Sequence, residues 1–96
     1  MAEELVRLDE ETFGDWTERR RHQTLFCGVI SASCAESAPI EALLQDLHAA
    51  GSSRVAVATI DADKSPALAK RYEVEAFPEV LIFRDGQLAT RLVPRC

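Results

Sequence analysis

The chain has 96 residues, 47% hydrophobic and 28% charged, the composition of one globular domain rather than of a disordered segment. Sixteen acids against eleven bases give a formal charge of −5, which argues against a phosphate-binding surface, so nucleic acid is not an expected partner. No run of about 18 apolar residues predicts a membrane span, and the acidic start Met1-Ala2-Glu3-Glu4 carries no secretory leader, so a reducing, cytoplasmic setting is expected.

Leu5–Leu8 reads as a short first strand, and Asp9 stands where an N-cap belongs, ahead of the acidic first turn Glu10-Glu11. Phe13 and Trp16 share one face of the helix that follows, and Arg19-Arg20-Arg21 is read as its solvated C-terminal end. Leu25–Ile30 is apolar without alternation, the pattern of a strand buried on both faces. After Ser31-Ala32-Ser33, Ile40, Leu43, Leu44 and Leu47 recur at helical spacing up to Gly51. Pro39 predicts a kink near the first turns, or a helix that properly begins only there.

Val55–Ile60 is a second buried strand, closed by Asp61. Ser65-Pro66 reads as an N-cap with proline at the first helical position, opening a short helix through Tyr72. Val80–Phe83 and Gln87–Val93 flank Asp85-Gly86, a strong two-residue hairpin signal. The order is β-α-β-α-β-α-β-β, which predicts an α/β domain whose mixed sheet is parallel at first and antiparallel at its last two strands.

Cys27, Cys34 and Cys96 make an odd count with no pair at zinc-site spacing, and His22 and His48 add none. No metal or other cofactor is expected, and the cysteines read as free thiols packed as small hydrophobes.

These residues resemble the thioredoxin family over nearly the whole chain. In that family a Cys-x-x-Cys motif lies between a buried strand and the next helix, with a proline five positions beyond the second cysteine. Cys34 and Pro39 have that separation, which places the motif on Ser31-Ala32-Ser33-Cys34. Ile60-Asp61-Ala62-Asp63, Leu68–Val74, Phe77-Pro78 and Val80–Gly86 resemble the second half of the family pattern. The resemblance implies a thioredoxin-like fold over residues 1–96 and a cis bond between Phe77 and Pro78. It also implies a final helix after the hairpin, for which the chain offers no segment: Pro94 stands where the family usually has glycine.

By the same resemblance, Ser31 occupies the attacking position and Cys34 the resolving one. Leu25 replaces the buried carboxylate and Ile30 the tryptophan ahead of the motif. A serine hydroxyl is far less acidic than a thiol and forms no disulfide, so a dithiol cycle is not expected. Ser31 or Ser33 has a plainer role as a cap on the following helix. The expected binding surface is Ile30, Ala32, Ser33, Phe77 and Pro78 beside Ser31 and Cys34, presented to a protein or extended peptide. The run Cys34-Ala35-Glu36-Ser37 is similar to the thioredoxin-like domain of multidomain monothiol glutaredoxins, which implies an interaction module in redox homeostasis. A glutaredoxin domain or an oligomer is then an implied partner. A monothiol oxidoreductase or redox sensor acting through Cys34 is the alternative, and a client-holding, chaperone-like protein is a third reading.

Overall fold

A computed structural model describes residues 5–93. The elements run β1 (Val6–Leu8), α1 (Phe13–Arg19), β2 (Thr24–Ile30), α2 (Ser37–Ala49), β3 (Val55–Asp61), α3 (Pro66–Arg71), β4 (Glu79–Arg84) and β5 (Gln87–Leu92). The five strands form one sheet in the order β1-β3-β2-β4-β5. β1, β3 and β2 are parallel, β4 is antiparallel to β2, and β5 is antiparallel to β4. This is the mixed α/β sheet expected from the element order. The readings that fall on Pro94 and Cys96 lie outside the described residues.

Both faces of the central strands are covered, which is why β2 carries no polar alternation. One face packs Leu25, Cys27 and Val29 against Phe13 and Trp16 of α1 and Leu68 and Ala69 of α3. Phe13, Tyr72 and Phe83 close that core as an aromatic triad with ring centroids 5.5–5.9 Å apart. The other face carries Val57 and Val80 against Leu44 of α2, with Phe26, Ile40, Leu47 and Ile82 half-buried around them. A Cβ at Gly28 would collide with Leu44 Cδ1, so glycine lets α2 lie directly on β2.

Several local expectations are refined. Asp9 Oδ1 accepts from the Glu11 and Thr12 N–H groups at 2.9 Å, and the Asp9 N–H donates to Thr12 Oγ1 at 3.0 Å. This reciprocal pair caps a turn, and the helix proper begins only at Phe13. α2 begins at Ser37, so Pro39 lies in its first turn, where its missing N–H leaves no bond unmade. Leu43, expected in the core stripe, is 62% exposed. Of the described helices, α2 alone covers that face, and Leu43 lies on its flank beside a groove shared with Phe26, Val80 and Leu92. Asp85 and Gly86 both have positive φ, as the tight hairpin between β4 and β5 requires. Among the described residues, no helix is long and apolar enough to cross a membrane.

Candidate functional site

The site grows from the end of β2. Parallel pairing sets Ile30 beside Asp61, and the Ile30 carbonyl accepts the Ala62 N–H at 2.8 Å. That bond brings the loop after β3 against the residues after β2. Asp63 is fixed there by its own N–H, which donates to Asp61 Oδ1 at 2.9 Å.

The Ser31–Ser37 segment folds as consecutive tight turns. The Cys34 N–H bonds the Ser31 carbonyl and the Ser37 N–H bonds the Cys34 carbonyl, each at 3.1 Å. Ser37 Oγ reaches back to accept the Ser31 N–H at 3.2 Å. Cys34 therefore precedes α2 by three residues instead of lying in its first turn. Neither Ser31 nor Ser33 caps the helix, since Glu36 occupies the N-cap position without a side-chain bond. Their hydroxyls serve the loop. Ser31 Oγ lies 2.8 Å from Ser33 Oγ and accepts the Ser33 N–H at 3.3 Å. It also donates to the Asp63 carboxylate at 3.2–3.3 Å, and the Ala32 N–H donates to the same carboxylate at 3.1 Å.

The Phe77–Pro78 bond is cis, and Cys34 Sγ lies 2.9 Å from the Phe77 carbonyl oxygen. Tertiary structure thus joins two segments 43 residues apart in sequence. Exposure divides the expected binding residues. Ser31 is 2% exposed and Ile30 and Cys34 are 7% exposed each, so these three side chains offer almost nothing to a partner. Pro78 is fully buried. Ala32 and Ser33 are exposed and Phe77 is half-buried, so they form the accessible rim.

Of the two described cysteines, Cys27 meets the expectation of a free, buried thiol and Cys34 departs from it. Cys34 is a disulfide cysteine, whereas Cys27 is free and buried, so these two do not pair with each other. Spacing along the chain carries no information on which sulfurs meet in space. Burial pushes the Cys27 thiol up to about 12, which removes its thiolate at neutral pH.

Among the described residues, the Ser31–Asp63 pair has no imidazole to complete a nucleophilic arrangement. His48 lies twelve residues along a helix that begins beyond the site, roughly 16–18 Å away at about 1.5 Å per residue. His22 precedes β2 at the opposite end of a buried strand. The hydroxyl is anchored by hydrogen bonds rather than activated for attack.

Sequence reasoning missed Asp63 as the partner of Ser31, although it stands in the acidic step Ile60–Asp63. It also missed Glu79. This buried carboxylate follows Pro78 and is held by Arg91 at 2.8 Å, while the same Arg91 nitrogen donates to the Tyr72 carbonyl at 2.9 Å. The even apolar look of β4 concealed the acid, and nothing local to Arg91 marks it as inward-facing.

A sheet of this order, with a turn at the end of β2 meeting a cis-proline loop before β4, defines the thioredoxin fold. The family model described as Thioredoxin matches residues 5–94, and the chain belongs to the thioredoxin family. A thioredoxin of Staphylococcus aureus is 30% identical over 89 residues, covering 93% of this chain and 83% of that protein. Chloroplastic thioredoxin Y2 of Arabidopsis thaliana is 46% identical over 37 residues, which are 38% of this chain and 22% of that protein. Among solved structures, a mutant thioredoxin from Halobacterium salinarum superposes with a TM-score of 0.83 at 23% identity, over 97% of this chain and 80% of that one. A chain from a structure on the thiol resolving mechanism of yeast mitochondrial 1-Cys peroxiredoxin via glutathione/thioredoxin systems gives a TM-score of 0.79 at 26% identity. It covers 93% of this chain and 82% of that one.

Proposed function

We propose that this chain is a thioredoxin-like interaction module that does not run a dithiol–disulfide cycle. It docks an extended protein segment on the rim formed by Ala32, Ser33 and Phe77, in the service of cytoplasmic redox homeostasis. One observation carries the reading. The residue that the family resemblance sets at the attacking position is a buried hydroxyl, tied to Ser33 and to the Asp63 carboxylate. Such a group neither ionises near neutral pH nor forms a mixed disulfide. The similarity of Cys34-Ala35-Glu36-Ser37 to the thioredoxin-like domains of monothiol glutaredoxins favours a partnership with a glutaredoxin module.

The test is insulin reduction with dithiothreitol. The chain should give no turnover above a Cys34→Ser control. Turnover above that control would replace this reading with a monothiol oxidoreductase acting through Cys34. A second variant checks the register. After full reduction and mild reoxidation, Ser31→Cys should form a disulfide between residues 31 and 34 and gain measurable reductase activity, because the turn and the Phe77–Pro78 loop stand ready around it. Failure to form that disulfide would show that the site is assigned to the wrong residues.

A further inference from the structure

A groove of about 550 Å³ opens between α3 and the segment leading to Pro78, next to the Ser31 turn. Val74 and the alanines Ala62 and Ala69 make an apolar floor, and Phe77 forms one wall. Around them stand three carboxylates, Asp63, Glu73 and Glu75, against a single ammonium, Lys70. An apolar trough with an anionic rim fits a side chain that has an aliphatic stem and a cationic head. Asp63 and Phe77 belong both to this groove and to the neighbouring turn, so one extended segment can follow the two without a break.

From this charge complementarity we infer that the groove receives a lysine or arginine of the docked segment, so that the partner is a protein with a basic residue beside its docking stretch. The inference rests on the proposed docking at the Ser31–Cys34 turn and deepens it by naming the chemistry of the partner. The carboxylates supply attraction at the mouth, and the floor covers the methylene stem once the head is paired. Exposed charge pairs are individually weak, so the groove sets preference among segments rather than the whole affinity.

The experiment is an amide NMR titration of the full chain with capped pentapeptides Ala-Ala-X-Ala-Ala, where X is arginine, lysine, leucine or glutamate. The arginine and lysine peptides should shift the amides of Lys70 and of residues 73–77. They should bind about tenfold more tightly than the glutamate peptide at low salt, with the difference largely lost at 0.5 M NaCl. Glu75→Lys should remove most of that preference. Asp46→Lys changes the net charge equally on the far side of the sheet, on α2, and should leave the preference in place. Equal affinity for all four peptides would overturn the inference, as would equal effects of the two charge reversals. Charge-independent shifts at residues 31–34 would overturn the inference and keep the docking reading. Selective shifts in the groove without any at residues 31–34 would do the reverse, and no shifts from any peptide would overturn both.

Discussion

Arg91 of β5 holds the buried carboxylate of Glu79 at 2.8 Å, directly after the cis-proline. Its guanidinium also bonds the Tyr72 carbonyl, so one side chain ties the end of α3, the start of β4 and the edge strand together. The Phe77–Pro78 loop lies between two of these anchors, which fixes the wall of the candidate site.

Removing the cation strands a buried charge. Arg91→Leu is expected to destabilise the fold by about 2 kcal/mol, below the ~3–5 kcal/mol of a fully enclosed pair because Arg91 keeps a third of its side chain in solvent. Adding Glu79→Gln to that variant should recover part of the loss. Urea unfolding of both single variants and the double variant measures the coupling, and strict additivity would contradict the pairing.

Gly28 is expected to be intolerant of even one methyl group. Gly28→Ala should cost about 1–3 kcal/mol, since the added Cβ drives Leu44 out of its place against β2. In a Leu44→Ala background, itself costing about 2–5 kcal/mol, the same change should cost much less. Thermal unfolding of the four proteins reads this out.

The Asp9 carboxyl lies below its ordinary value of 3.8, because the Thr12 and Glu11 N–H groups donate to its charged form. A depressed carboxyl contributes stability that is present above its unfolded value and lost as pH falls through its folded one. The melting temperature should therefore decline below about pH 4, and Asp9→Ala should flatten that decline while leaving the neutral-to-alkaline profile unchanged in shape. A circular-dichroism melt series from pH 2 to 7 is sufficient (roughly one point per half unit).

Glu73 ends α3 with φ at 55°, a conformation that favours glycine. Its N–H bonds the Lys70 carbonyl at 3.1 Å, and the Val74 N–H bonds the Ala69 carbonyl at 2.8 Å, the paired bonds of a Schellman ending. Glu73→Gly should stabilise the chain by about 0.5–1 kcal/mol in chemical denaturation and weaken its preference for basic peptides. A variant that lost stability would show that the side chain contributes more to the fold than its backbone strain costs.

The element order, the two-sided burial of β2 and β3, and the Asp85-Gly86 hairpin were legible in the sequence. Periodicity and turn chemistry are local, and the sheet obeys them. Pro39 was legible in part, because proline marks a helix start without saying how far upstream the first turn reaches. The stripe rule overcalled Leu43, because it knows the face of a helix but not the width of what covers it. At the site, the resemblance anticipated the cis bond at Phe77–Pro78 without showing that Ser31, Cys34 and Pro78 would all be buried.

What the amino-acid order determined by itself is the fold class and the chemical kind of group that follows β2, the Ser31 hydroxyl. What only the tertiary structure decided is the company that hydroxyl keeps. Ser31 and Asp63 are 32 residues apart, and Cys34 and Phe77 are 43 apart. Such pairs form because parallel strand pairing aligns the ends of β2 and β3, and antiparallel pairing brings the start of β4 beside them. Contacts of that range leave no periodic trace in the sequence, since they depend on register between distant segments and not on neighbours along the chain.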